Sequence, residues 1–160
     1  MDAREKVKAD IISWFREDKA DVGHAFNERS FATRYVTNYN PKEKAAYEGA
    51  LRDLTVEEII EQKSGRLLLT QKGLDLIYPE SPAEARGKVK ADIISWFREA
   101  SADIGDAFNE RSFMTRYATN YNPKEKGVIL GVLSELATEG LLEERGGKFF
   151  LTKRGIDTLY

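Results

Sequence analysis

Apolar residues recur along this chain with two different periods. Val7, Ile11, Trp14 and Phe15 follow i, i+4, i+7, i+8 spacing, which predicts an amphipathic helix, and Val22 extends the stripe. Asp2 and Glu5 form a capping box for its start, and Gly23 a stop for its end. A second, shorter helix begins near Asn27, with Phe31 and Tyr35 on one side. Pro41 breaks it, because proline disfavours helix at the residue before it. The same proline opens a third helix, with Asn40 suited to the N-cap, Pro41 to the first helical position and Glu43 to the third. Tyr47, Ala50, Leu51 and Leu54 make its inner face. The period then shortens. Two apolar runs, 58–63 and 66–70, flank Ser64-Gly65 and predict a β-hairpin. Leu74 and Ile77 mark a short closing helix.

The whole pattern then occurs a second time. Residues 6–17 and 88–99 are the same twelve letters, and the offset of 82 holds without a gap to Tyr78 and Tyr160. From Arg4 to Tyr78, 45 of 75 positions are identical to their counterparts. A unit this long is too large for a solenoid repeat and large enough to fold alone. The expected organisation is therefore two domains, residues 1–78 and 82–160, joined by a linker at 79–81. Ser81, Pro82 and Glu84 look like the capping box of the second unit's first helix, so the tether is short and restricts the domains' mutual orientation. The expected fold class is α+β, mainly α, each unit having three helices, a hairpin and a closing helix.

Composition acts mainly by exclusion. The chain has 160 residues, 41% hydrophobic and 32% charged, with net charge −2. With no cysteine and one histidine, disulfides, thiolate chemistry and a multi-histidine metal site are ruled out. His24 has Asp106 as its counterpart, so no nucleophile–base pair is repeated. The carboxylates alternate with Lys and Arg at helical intervals, which is the pattern of a solvated face. No phosphate-binding glycine loop occurs, no enzyme activity or cofactor is expected, and no apolar run is long enough for a membrane span. The charged start at Met1–Glu5 is unlike a signal peptide's, which gives an expected cytoplasmic location.

Gly140-Leu141-Leu142-Glu143-Glu144-Arg145-Gly146-Gly147-Lys148-Phe149-Phe150-Leu151-Thr152-Lys153-Arg154-Gly155 resembles the hairpin end of winged helix-turn-helix domains. There a glycine and two aliphatics lead through polar residues to a glycine, an aromatic, Leu-Thr and a last glycine. The helix–break–helix segments 28–54 and 110–136 resemble the helix-turn-helix that precedes such a wing. The first copy departs at Glu58, where glycine is common, but keeps Leu69-Thr70 and Gly73.

The resemblance implies duplex DNA as partner, with the second helix of each motif entering the major groove by its N-terminal end. In the first copy the residues at that edge are Arg29, Arg34, Thr37, Asn38, Lys42 and Lys44, with Lys63 and Arg66 at the wing tip. The second copy offers Arg111, Arg116, Thr119, Asn120, Lys124 and Lys126, with Arg145 and Lys148 on the wing. Arg and Lys suit phosphates, and Asn and Thr suit base edges. Local charge supports the assignment, since residues 111–126 hold four basic side chains against one acidic and 145–154 hold four against none.

The copies do not diverge evenly. Residues 27–44 match 109–126 at 16 of 18 positions, whereas 45–78 match at only 11 of 34. The third helix of the second copy is apolar nearly all round, which suggests burial on more than one side. Gly127, Val128, Leu130 and Gly131 there are candidates for a homodimer or protein-partner surface. A protein–protein adaptor without nucleic acid is thus the alternative function.

Overall fold

A computed structural model describes residues 2–160 of the chain. It divides into two compact units, Met1–Pro79 and Glu80–Tyr160. The first unit contains α1 (Ala3–Glu17), α2 (Glu28–Arg34), a 3-10 turn at Val36–Asn38 and α3 (Pro41–Val56). The hairpin β1 (Ile60–Lys63) and β2 (Arg66–Leu69) and the closing helix α4 (Gln71–Ile77) follow. The second unit repeats this order as α5 (Pro82–Glu99), α6 (Glu110–Arg116), a 3-10 turn at Ala118–Asn120 and α7 (Pro123–Thr138). It ends with β3 (Leu142–Arg145), β4 (Lys148–Leu151) and α8 (Lys153–Leu159). The fold is α+β and mainly helical, a tandem duplication, as the two periods predict.

The helix starts follow the sequence closely. Asn40 and Asn122 each head a complete capping box, accepting from the Glu43 or Glu125 N–H while that carboxylate accepts from the Asn N–H. Asp2 and Ser81 also cap through their side chains, accepting from the Glu5 and Glu84 N–H groups. The end of the first helix differs from expectation. α1 stops at Glu17, six residues before Gly23, and Val22 is 47% exposed instead of extending the stripe. The physical stop is a Schellman motif built without glycine. Lys19 takes φ +50°, its N–H bonds the Arg16 carbonyl, and the Ala20 N–H reaches back to Phe15 O at 2.9 Å. The buried Ala20 methyl seals the turn. Ser101 and Ala102 repeat it, leaving Ile104 exposed like Val22.

Each core is built on an aromatic chain. In the first unit Trp14, Phe15, Phe26 and Phe31 lie with neighbouring centroids 5.1–5.7 Å apart. Phe31 then stacks on Tyr35 and on Tyr47 of α3. Trp96, Phe97, Phe108 and Phe113 repeat the chain, but Ile129 stands where Tyr47 would be. The hairpins pair antiparallel, Ile60 with Leu69 and Leu142 with Leu151 at the buried end away from the turn. Ala25 and Ala107 add a single bridge to the outer edge of β2 and β4, so the loop after the first helix lies along the wing.

The wing is anchored at its base by a threonine clasp. Thr70 Oγ1 accepts from the Gly73 N–H and caps α4, while its hydroxyl is shared between the Glu58 and Ile59 carbonyls at 2.5 and 3.0 Å. Thr152 does the same with Gly155, Gly140 and Leu141. A Cβ on Gly73 would lie 2.3 Å from Ile59 O, and one on Gly155 2.4 Å from Leu141 O, so these helices dock backbone against backbone. Just before the clasp, α3 ends in a second Schellman turn with Glu58 at φ +63°, where α7 has Gly140 at φ +82°.

Gly73→Ala and Gly155→Ala are each expected to lower stability by about 1–3 kcal/mol, because the backbone contact cannot give way. Glu58→Gly is expected to raise it by about 0.5–1 kcal/mol, since relief of the left-handed strain exceeds the added freedom of the unfolded chain. Thermal denaturation midpoints of the three variants against wild type check both.

Candidate functional site

The start of the third helix is held rigidly in both units. Tyr39 is buried between α2 and α3, and its hydroxyl donates to Asp10 Oδ2 of α1 at 2.7 Å. Lys6, also from α1, donates to Glu43 Oε1 at 2.9 Å and lies over the Tyr39 ring. Burial pushes the Tyr39 hydroxyl well above the usual tyrosine range, and the Asp10 hydrogen bond adds to this. The Lys6 hydrogen bond and the Asn40 N–H hold Glu43 below the usual carboxylate range. Tyr121, Asp92, Lys88 and Glu125 repeat the arrangement, with distances of 2.5 and 2.8 Å. Lys42 and Lys44 are left exposed beside this fixed frame.

The candidate cations fall into two groups. Arg29, Lys42, Lys44, Lys63 and Arg66 are exposed and make no ion pair among the described residues. The same holds for Arg111, Lys126 and Lys148. Arg34 is different. It bridges Asp18 at 2.8 Å and Glu17 at 3.4 Å and lies over the Trp14 ring, so it closes α2 onto the end of α1. Arg116 reaches Glu99 at 3.5 Å in the same way. Tyr35 and Tyr117 donate to the same glutamates, and burial with that hydrogen bond pushes each hydroxyl up to about 12. Lys124 folds back to the Glu80 carbonyl at 3.2 Å, beside an Asn122–Glu80 hydrogen bond of 2.6 Å. Thr37 spends its hydroxyl on the Thr33 carbonyl. Thr37 and Asn38, and Thr119 and Asn120, sit exposed in the 3-10 turns.

At the wing tips like charges face each other. Lys63 pairs across the hairpin with Arg66, and Arg145 with Lys148. Opposed like charges destabilise a hairpin on their own. The turn holding them has two consecutive positive φ values, at Ser64 and Gly65 and at Gly146 and Gly147, matching the strand twist. Arg145 is partly relieved by stacking 4.3 Å over Phe150 and by Glu143 at 3.8 Å.

A cleft of about 600 Å³ brings these elements together in the second unit. It is lined by Glu110 and Met114 of α6, by Lys126, Ile129, Leu130 and Leu133 of α7, and by Gly147, Lys148 and Phe149 of the wing. The first turn of the second helix, the outer face of the third and the wing therefore share one face. By the 82-residue offset, the first unit has Glu28, Lys44, Glu48 and Arg66 at the matching positions.

The expected burial of α7 on several sides is not what is found. Gly127 and Gly131 are exposed, with no atom within 4 Å of an added Cβ, and Leu130 is 68% exposed. Val128 differs from the other three by packing against the core. Glu48 and Arg52 are further exposed residues on the outer face of α3, beyond those the charge pattern points to. Their spacing of four and eight residues from Lys44 is the signal that reveals them. Among the described residues no group of three His, Asp or Glu side chains could hold a metal ion, and no helix is long and apolar enough to cross a membrane. No protein-family model, curated protein or solved structure matches the chain.

The frame has a pH signature. Lys6 depresses Glu43, and Arg4, gripping Asp53, depresses that carboxyl too. A carboxyl lowered in the folded state adds stability that is complete above its unfolded value and is lost as pH falls through the folded one, here below about pH 4. Lys6→Gln is expected to lower the melting temperature at neutral pH and to converge on wild type in acid, which thermal melts from about pH 2 to 7 measure.

Proposed function

We propose that the chain is a non-enzymatic, cytoplasmic DNA-binding protein, a regulator whose two units are winged helix-turn-helix domains. The observation that carries this reading is the set of exposed cations without ion pairs among the described residues, two of which, Lys126 and Lys148, line the cleft shared by α6, α7 and the wing of the second unit. Opposed like charges at both wing tips add support, because a polyanion relieves the repulsion they otherwise impose. The rigid seating of the α3 start supports it further. A base-reading helix needs its side chains preorganised, and Tyr39, Asp10, Lys6 and Glu43 supply that without using Lys42 or Lys44. Arg34, Arg116 and Lys124 are assigned to the fold instead of to phosphate. Two equivalent edges in one chain suit contact with two half-sites, as a dimer would make.

One observation favours the protein-adaptor reading. Leu130 is 68% exposed at a cleft lined in part by apolar side chains, and an apolar side chain beside a concavity is a contact that a protein partner uses.

Fluorescence anisotropy on mixed-sequence duplex DNA separates the two. About four phosphate contacts predict a loss of roughly 10²-fold in affinity between about 50 and 200 mM salt. Replacing Lys42, Lys44, Lys63 and Arg66 by Ala flattens the log–log slope by about 0.9 for each phosphate no longer neutralised, while Arg34→Ala leaves it unchanged. No binding at the lower salt rejects general DNA binding and leaves a narrowly specific site or the adaptor reading.

A further inference from the structure

The duplication changed the outward row of the third helix while keeping its frame. In α3 that row is Lys44, Glu48 and Arg52, four residues apart, all exposed and without ion pairs among the described residues. In α7 it is Lys126, Leu130 and Ser134, also exposed. Lys44 and Lys126 are the same residue in the same place, while the other two positions differ, Glu48 against Leu130 and Arg52 against Ser134. Of these the middle position lies nearer the helix N-terminus, the end that meets base edges in a helix-turn-helix. The major groove offers an N4 amino donor on cytosine and a C5 methyl on thymine. A carboxylate accepts from the first, and an aliphatic side chain packs on the second.

Resting on the DNA-binding reading above, we infer that the two units read different pyrimidines at equivalent positions. Glu48 accepts the cytosine amino group in one half-site, and Leu130 covers the thymine methyl in the other. The site is then asymmetric in sequence although the protein is duplicated.

Two features of α7 favour a methyl over a protein core as the partner of Leu130. The apolar residues around it are already covered, Ile129 being 7% exposed and Leu133 and Phe149 each 5%. Leu130 is therefore the one strongly exposed large apolar side chain in the cleft lining, Met114 being half-buried, and the surface it offers is far less than a stable protein interface requires. Next to it, Gly127 and Gly131 have open space where a Cβ would be, which lets base edges approach the helix backbone. In α3 the equivalent approach at Gly49 is filled by the Arg4 guanidinium, at 2.9 Å from an added Cβ.

The test selects bound sequences from a random duplex pool with the intact chain, with Leu130→Glu and with Glu48→Leu. Both positions are exposed, and circular dichroism confirms folding. Wild type is expected to select one half-site with the cytosine and one with the thymine. Leu130→Glu is expected to select cytosine in both halves, and Glu48→Leu thymine in both. In the wild-type site, replacing that thymine by deoxyuridine removes one methyl and weakens binding about 3- to 5-fold. The Leu130→Glu variant shows no such loss. Salt-sensitive binding with no uracil effect and unchanged selections overturns this inference and leaves DNA binding standing. Absence of binding to any member of the pool at low salt overturns both.

Discussion

A threonine hydroxyl at the foot of each wing sets the geometry on which the rest depends. A two-stranded hairpin is marginal by itself in water, so the wing's position must come from elsewhere. Thr70 supplies it by joining three pieces at one oxygen: the turn that ends α3, the end of β2 and the first turn of α4. The missing side chain at Gly73 lets α4 sit directly on the Ile59 carbonyl. The Thr–x–x–Gly pattern is thus a structural clasp, and its relation to the candidate site is indirect. It fixes the distance between wing tip and third helix and so the shape of the face they share.

Much of this was legible from residue spacing. The capping boxes at Asn40 and Asn122, the proline that both ends one helix and starts the next, and the paired positive-φ turns are local devices. They work wherever the chain places them, so sequence alone reveals them. The end of α1 was not legible, because Lys19 takes a conformation that composition assigns to glycine. The sorting of the cations was not legible either. Arg34 and Lys42 are both basic residues on one edge, but Arg34 meets Asp18 only once α2 folds back on α1. Ion pairing is a property of tertiary proximity, and a local charge tally overstates the free cations for that reason.

The two copies serve as each other's control. Where they agree, they hold the frame: the tryptophans bonded to Ser30 and Ser112, the tyrosines bonded to Asp10 and Asp92, and the clasp. Where they differ, the changes concentrate on the third helix and wing. On the third helix Tyr47, stacked at 5.8 Å on Phe31, becomes Ile129, and Glu48 becomes Leu130; on the second helix Ala32 becomes Met114. A stable scaffold with an altered surface is the pattern expected when duplicated domains specialise.

The tryptophans carry one more consequence. Trp14 has the His24 ring 6.0 Å away, whereas Trp96 has Asp106 in that part of its unit's sequence. An imidazole ring beside an indole perturbs its excited state through ring contact, and an aliphatic carboxyl side chain has no ring to do so. The two indoles therefore emit from different surroundings, although many of the side chains packed around them are the same. Two halves of one chain that share a fold are in this way optically distinct, and unfolding or ligand binding in one can be followed against the other without attaching a label.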